Sequence, residues 1–183
     1  MLPYIFVLLA IAVRFLPFMG PLNFLPHVWH FTPLAASLLF FGARASRRQI
    51  WVPLVLLMAT DVILTRFAWK YPFTWDTLLI WAWYAAILWL GTGLRGKSSM
   101  WRVVVAAAAS SVSFFVISNF GVWAATLMYP KTLAGLVACY EVAIPFFRNT
   151  AVSDMLFSLA FFGLAALQAM LAEGGAGDHS AAA

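Results

Sequence analysis

Six apolar stretches set the options for this chain: residues 2–18, 32–43, 50–67, 75–92, 101–125 and 150–172. Most approach the ~20 apolar residues that an α-helix needs to cross the hydrocarbon of a bilayer. Soluble domains carry about a quarter charged residues, whereas this chain carries 9% and is 64% hydrophobic over 183 residues. The composition is that of a membrane protein, and the length accommodates one compact bundle. The expected fold is all-α: a polytopic transmembrane bundle of about six helices in one domain, 1–172, with an irregular outer cap. The tail EGGAGDHSAAA, 173–183, is small and polar and is expected to be disordered.

Two regions depart from this pattern. The segment PLNFLPHVWHFTP (21–33) holds three prolines, so the short apolar run after it is expected to cross only as a partly irregular segment covered by protein. The second region is NFGVWAATLMYPKTLAGLVACY (119–140) and its continuation to 149, where Asn119, a Tyr-Pro-Lys triplet and the chain's one cysteine interrupt the apolar run. Residues 126–149 are expected to hold a short helix, roughly 132–142, between the Tyr129-Pro130 turn and a break at Pro145.

Charge sets the orientation. With the N-terminus inside, Arg44, Arg47, Arg48, Arg95, Lys97 and Arg102 fall in cytoplasmic loops, and Arg66, Lys70, Lys131 and Arg148 on the opposite side. The clusters RASRR and RGKSSMWR flank spans closely, where the positive-inside rule is strongest, so both termini are expected to be cytoplasmic. The first stretch lacks a basic n-region and carries Arg14, so it reads as a span and not as a removable signal. The net charge of +5 resides in these topogenic loops and does not argue for nucleic acid.

Arg14, Asp61 and Asp154 lie within or at the ends of apolar segments. An ionised side chain at the bilayer centre costs roughly 2.5–3.5 kcal/mol on insertion scales, so each needs a partner, water or a ligand. Arg14 with Asp61 or Asp154 makes a reasonable interhelical pair. His27 and His30 in HVWH have an i, i+3 spacing that suits a metal, but no carboxylate stands near them and Pro26 precedes them. They remain weak metal candidates. Cys139 reads as a small packing residue, and one cysteine excludes an internal disulfide. Phosphate-loop, HExxH, EF-hand and Ser-His-Asp or Cys-His patterns are absent, so the chain is not expected to be an enzyme, and no cofactor is indicated. The AAAASSVS run (106–113) is expected to let helices approach closely.

The motif S-N-F-G-V-W…Y-P-K-T…G-L…C-Y…I-P-F-F-R-N-T (118–150), with N-F…H-F-T-P-L-A-A…L-F-F-G-A (23–43), resembles an uncharacterised bacterial family of small polytopic membrane proteins assigned to transport. In architecture that family is similar to the S-components of energy-coupling-factor transporters, which have six helices and bind micronutrients from the outer face. The resemblance implies a location in the bacterial inner membrane, a small-molecule ligand and a membrane-embedded coupling partner. It departs from the S-component pattern in helix one, where Ala10 is followed four residues later by Arg14 and Ala12 by Leu16, without the Ala-x-x-x-Ala docking motif.

On this reading Asn119, Trp123, Tyr129, Lys131, Cys139, Tyr140, Glu141, Arg148 and Asn149 form an outer cap that binds substrate, since broken backbone at membrane depth survives where it lines a cavity. The alternative is a non-catalytic subunit of a larger membrane assembly, including a pigment–protein complex, with these aromatic residues facing partner helices or cofactors.

Overall fold

The structure, a computed structural model, describes residues 1–18, 31–70, 72–96 and 99–181, with 174–181 described by backbone alone. Among the described residues there are six α-helices and no strand. They are α1 (Leu2–Phe15), α2 (Leu34–Arg44), α3 (Trp51–Ile63), α4 (Asp76–Thr92), α5 (Met100–Ala125) and α6 (Leu133–Ala181). A 3₁₀ turn, Leu16–Phe18, follows α1, and another, Arg47–Gln49, precedes α3. A π-helical turn, Leu64–Trp69, prolongs α3. Three helical stretches are long and apolar enough to cross a membrane: Arg47–Trp69, Met100–Ala125 and Leu133–Glu173. Their outward faces carry Val55, Val112, Val116, Leu156 and Leu167, all exposed. That much apolar surface suits lipid and would be a liability in water. The chain is a helical membrane protein.

The centre of the bundle is α2. Its sequence LAASLLFFGAR is apolar around the whole circumference, and a helix of that kind belongs in an interior. Ala35 through Ala43 are all buried, with α1, α4, α5 and α6 packed around them. At ~1.5 Å per residue this helix covers about half the hydrocarbon thickness. Protein therefore replaces lipid on every side of it. Phe6 of α1 stacks on Phe161 of α6 at 3.7 Å, and Phe40 meets Phe6 and Phe162 edge-on at 5.0 and 5.1 Å.

Backbone contact fixes how α2 crosses α4. A Cβ on Gly42 would run into the Leu88 carbonyl, and one on Gly91 would run into the Leu39 carbonyl. Paired glycines give the close approach on which helix association in lipid depends. The C-terminal end of α2 is closed by Arg95, which donates from Nε to the Gly42 carbonyl (3.0 Å) and from Nη2 to the Ala45 carbonyl (2.9 Å). A cation at a helix C-terminus satisfies orphan carbonyls and complements the helix dipole.

α5 and α6 form an antiparallel hairpin, and here the structure corrects the sequence reading. The irregular part is confined to 126–132, and the short helix expected over 132–142 is the start of α6, which runs through Pro145 without ending. Proline removes one backbone donor, yet helices in membranes tolerate it because neighbouring helices and small local adjustments of the backbone re-satisfy the freed carbonyl. The helical backbone also continues to Ala181, across the stretch expected to be a disordered tail.

The connection itself is closed by local hydrogen bonds. Thr132 caps α6 by accepting the Gly135 N–H on Oγ1 (3.1 Å). Lys131 donates to the Trp123 and Thr126 carbonyls at the end of α5, and Trp123 Nε1 donates to the Pro130 carbonyl (2.9 Å). The Tyr-Pro-Lys triplet thus reads as the closure of a helical hairpin.

Candidate functional site

At the end of the bundle opposite the basic loops, a cavity of about 350 Å³ opens between α1, α3 and its π turn, α4, α5 and α6. Its apolar wall includes Val13, Leu34, Leu64, Ile80, Trp83 and Phe114. Four ionisable side chains of acid or guanidinium type face it: Arg14, Asp61, Asp76 and Asp154. Three of them come from within or the ends of apolar sequence, and the cavity is where their polarity is accommodated.

Arg14 stands in the last turn of α1 and pairs with Asp61 through Nη2 and Oδ1. The carboxylate is held from α4 as well: Trp81 Nε1 donates to Oδ2 (3.0 Å), and the Tyr84 hydroxyl donates to Oδ1 (3.4 Å). Trp81 and Tyr84 are three residues apart, so both polar tips fall on one face of α4. Asp61 is 6% exposed and has its lone pairs largely satisfied by protein. Such satisfaction is what makes a buried ion pair tolerable in low dielectric. Arg14 keeps a second function available, because its Nη1 is buried and has no hydrogen-bond partner.

Asp154 is separate from this pair. It is 3% exposed and accepts one hydrogen bond, from Ser111 Oγ to Oδ2 at 2.6 Å. No other described residue donates to it. Ser111 and Ser110 lie in the small-residue run of α5, so that run both packs against α6 and carries a polar group to it. Asp76, in the first turn of α4, faces the cavity with a buried Oδ1 that likewise has no partner. Gly121 of α5 makes room for it, since a Cβ there would lie 3.0 Å from the Asp76 Cβ. Trp83 Nε1 donates to Ser113 Oγ (2.9 Å), which orients the indole in the wall.

The π turn belongs to the same construction. Leu64, Thr65 and Trp69 from it line the cavity, and the turn ends at Lys70 with φ 56°. π turns insert an extra residue into a helix and recur at functional sites. This one begins three residues after Asp61 and carries side chains into the cavity mouth.

The expected cap residues lie elsewhere. Asn119 donates to the Phe115 carbonyl of its own helix (2.8 Å), and its carbonyl accepts from Cys139 Sγ (3.4 Å). Cys139 is buried between α5 and α6 as a packing residue. Tyr140 donates to the Val116 carbonyl (2.7 Å), and Trp123 and Lys131 close the hairpin as described. Glu141 and Arg148 are exposed, and Tyr129 and Asn149 are half-buried. None of these nine residues lines the cavity. Glu141 and Tyr140 instead border a shallow apolar groove of about 290 Å³ with Phe115 and Ile144. His27 and His30 lie outside the described residues. Among the described residues no three His, Cys, Asp or Glu side chains converge as a metal-ligand set.

The family profile described as Family of unknown function (DUF6580) matches residues 1–173. The chain belongs to this family. No curated protein and no solved structure matches it. The matched span of this DUF6580 chain contains every residue that lines the cavity.

Asp76, Trp81, Tyr84 and Ser111 escape a reading of the DUF6580 sequence. A signal existed for two of them: the i, i+3 spacing of Trp81 and Tyr84 in WAWY presents two hydrogen-bond donors on one face of an otherwise apolar helix. An intramembrane Asp needs such donors.

Proposed function

We propose that this DUF6580 chain is a membrane-embedded substrate-binding subunit of a transport system for a small micronutrient, S-component-like in architecture. The observation that carries this reading is the cavity itself: a pocket within a membrane bundle, walled by apolar and aromatic side chains and supplied with a few buried polar groups that protein leaves unpartnered. Ligand sites have this composition, and ~300 Å³ or more is the size at which small molecules are enclosed. Buried polar atoms are rarely left unsatisfied without a functional reason. The reading moves recognition from the 119–149 segment to Arg14, Asp76 and Asp154.

Basic loops at one end and the cavity at the other fit a bacterial inner-membrane protein with both termini cytoplasmic and the cavity open to the outer face. A coupling subunit would supply the energy, because the sequence has no nucleotide-binding motif. The test is purification in mild detergent followed by mass spectrometry of the small molecules extracted from the protein. A single compound enriched over a mock preparation supports the reading. Elution only within a larger particle of fixed stoichiometry, with no small molecule, would replace it with the assembly-subunit reading.

A further inference from the structure

We infer that the cavity selects a small amphipathic organic cation, a protonated amine on an aromatic or apolar body that also bears a hydrogen-bond acceptor. The inference rests on the proposal that the cavity holds a small molecule, and it specifies the chemistry of that molecule.

One guanidinium faces three carboxylates across the cavity. The guanidinium and Asp61 neutralise one another, and Asp61 is already occupied by Arg14, Trp81 and Tyr84. The remaining acids have acceptor capacity to give. Asp154, 3% exposed, has one oxygen engaged by Ser111 and receives no second donor from the described residues. Asp76 has a buried oxygen with no donor at all. Among the described residues that line the cavity, the unpartnered donor is Arg14 Nη1. A ligand that completes these groups therefore brings positive N–H donors to the two acids and one acceptor to Arg14. An anion would bring further acceptors to Asp76 and Asp154, whose free oxygens call for donors.

The shape of the site argues against a bare metal ion. Among the described residues no three carboxylates converge as a metal-ligand set. Trp83, Phe114 and Tyr84 line the same cavity. Aromatic faces attract ammonium groups and cover an apolar ring, so acid and aromatic residues together favour an organic cation.

Three probes of nearly equal size separate the alternatives: tyramine (a cation), 4-ethylphenol (neutral) and 4-hydroxyphenylacetate (an anion). Each is added at millimolar concentration to the full chain in detergent, and the shift in melting temperature is followed. Ethylphenol controls for partition of the aromatic body into micelles. The expected result is stabilisation by tyramine above the ethylphenol baseline and none by the anion. Asp76→Asn and Asp154→Asn should each weaken the tyramine response by about tenfold in apparent affinity. Lys131→Gln, in the hairpin, should leave it unchanged. The melting temperature of each variant without probe shows that it is folded, and Asp76→Asn, only partly buried, serves if Asp154→Asn does not fold. Equal or greater stabilisation by the anion, or a response unaltered in a folded acid-to-amide variant, overturns the inference. So does a copurifying compound that is neutral or anionic, although that compound would uphold the substrate-binding role.

Discussion

Arg14 and Asp61 are the residues on which the interior depends most. The pair links α1 to α3, and Trp81 and Tyr84 link it to α4. Removing one partner leaves an uncompensated buried charge, so Asp61→Leu should cost about 3–5 kcal/mol of stability. Replacing both, as Arg14→Leu with Asp61→Leu, should recover part of that loss, because an apolar pair needs no desolvation. Chemical denaturation in detergent, run on both singles and the double, checks this. Losses that simply add would mean that the two side chains do not act on one another. The need for partners at Arg14, Asp61 and Asp154 is legible in the sequence because a charge inside an apolar run has no innocent explanation. The division of labour among them is not, because the Ser111 that takes Asp154 lies in a run of alanine and serine that looks like packing alone. Asn119, Trp123 and Lys131 carry polarity that the fold engages locally. Their polarity suggests recognition, but each bonds to backbone within a few residues along the chain or across the hairpin, which composition cannot reveal.

At the scale of elements, the α2–α4 crossing is held by direct backbone contact. Both Gly42 and Gly91 sit where a Cβ would meet the opposing backbone, which cannot give way as a flexible side chain could. Gly91→Leu should therefore cost at least the ~1–3 kcal/mol typical of overpacking, and Gly93→Leu, whose nearest contact is 3.2 Å in its own turn, should cost less. Thermal unfolding of the two variants gives the comparison. The cap on α2 offers a second measurement at this scale. Arg95→Gln removes charge-assisted hydrogen bonds to two carbonyls and should lose about 1–3 kcal/mol, whereas the exposed Arg47→Gln should stay within about 0.5 kcal/mol. Sequence reasoning locates the six helices well, since apolar length is a direct physical requirement of the bilayer. It fails at Pro145, where a rule learned from soluble helices gives way to the continuity that a lipid-facing helix maintains.

For the molecule as a whole, chain direction sends the basic connections to one end and the cavity to the other. The ends of α1 and α3 and the starts of α2 and α4 meet where the cavity opens, and the α5–α6 connection lies at the same end. The asymmetry expected from Lys and Arg placement is thus an asymmetry of chemistry too, with the cavity at the end away from the basic loops. In a Cys139→Ser background, a cysteine at exposed Ser46 should react with an impermeant thiol reagent only from the cytoplasmic side, and one at exposed Met128 only from the other. Reversed labelling would invert the orientation and leave the cavity argument intact. The central claim is that the cavity and not the α5–α6 hairpin holds a small molecule. Native mass spectrometry of gently purified wild type, Asp154→Asn and Lys131→Gln tests it most directly. A bound mass present in wild type and Lys131→Gln and missing from folded Asp154→Asn is the expected result. A bound mass that survives Asp154→Asn and disappears with Lys131→Gln would contradict the account.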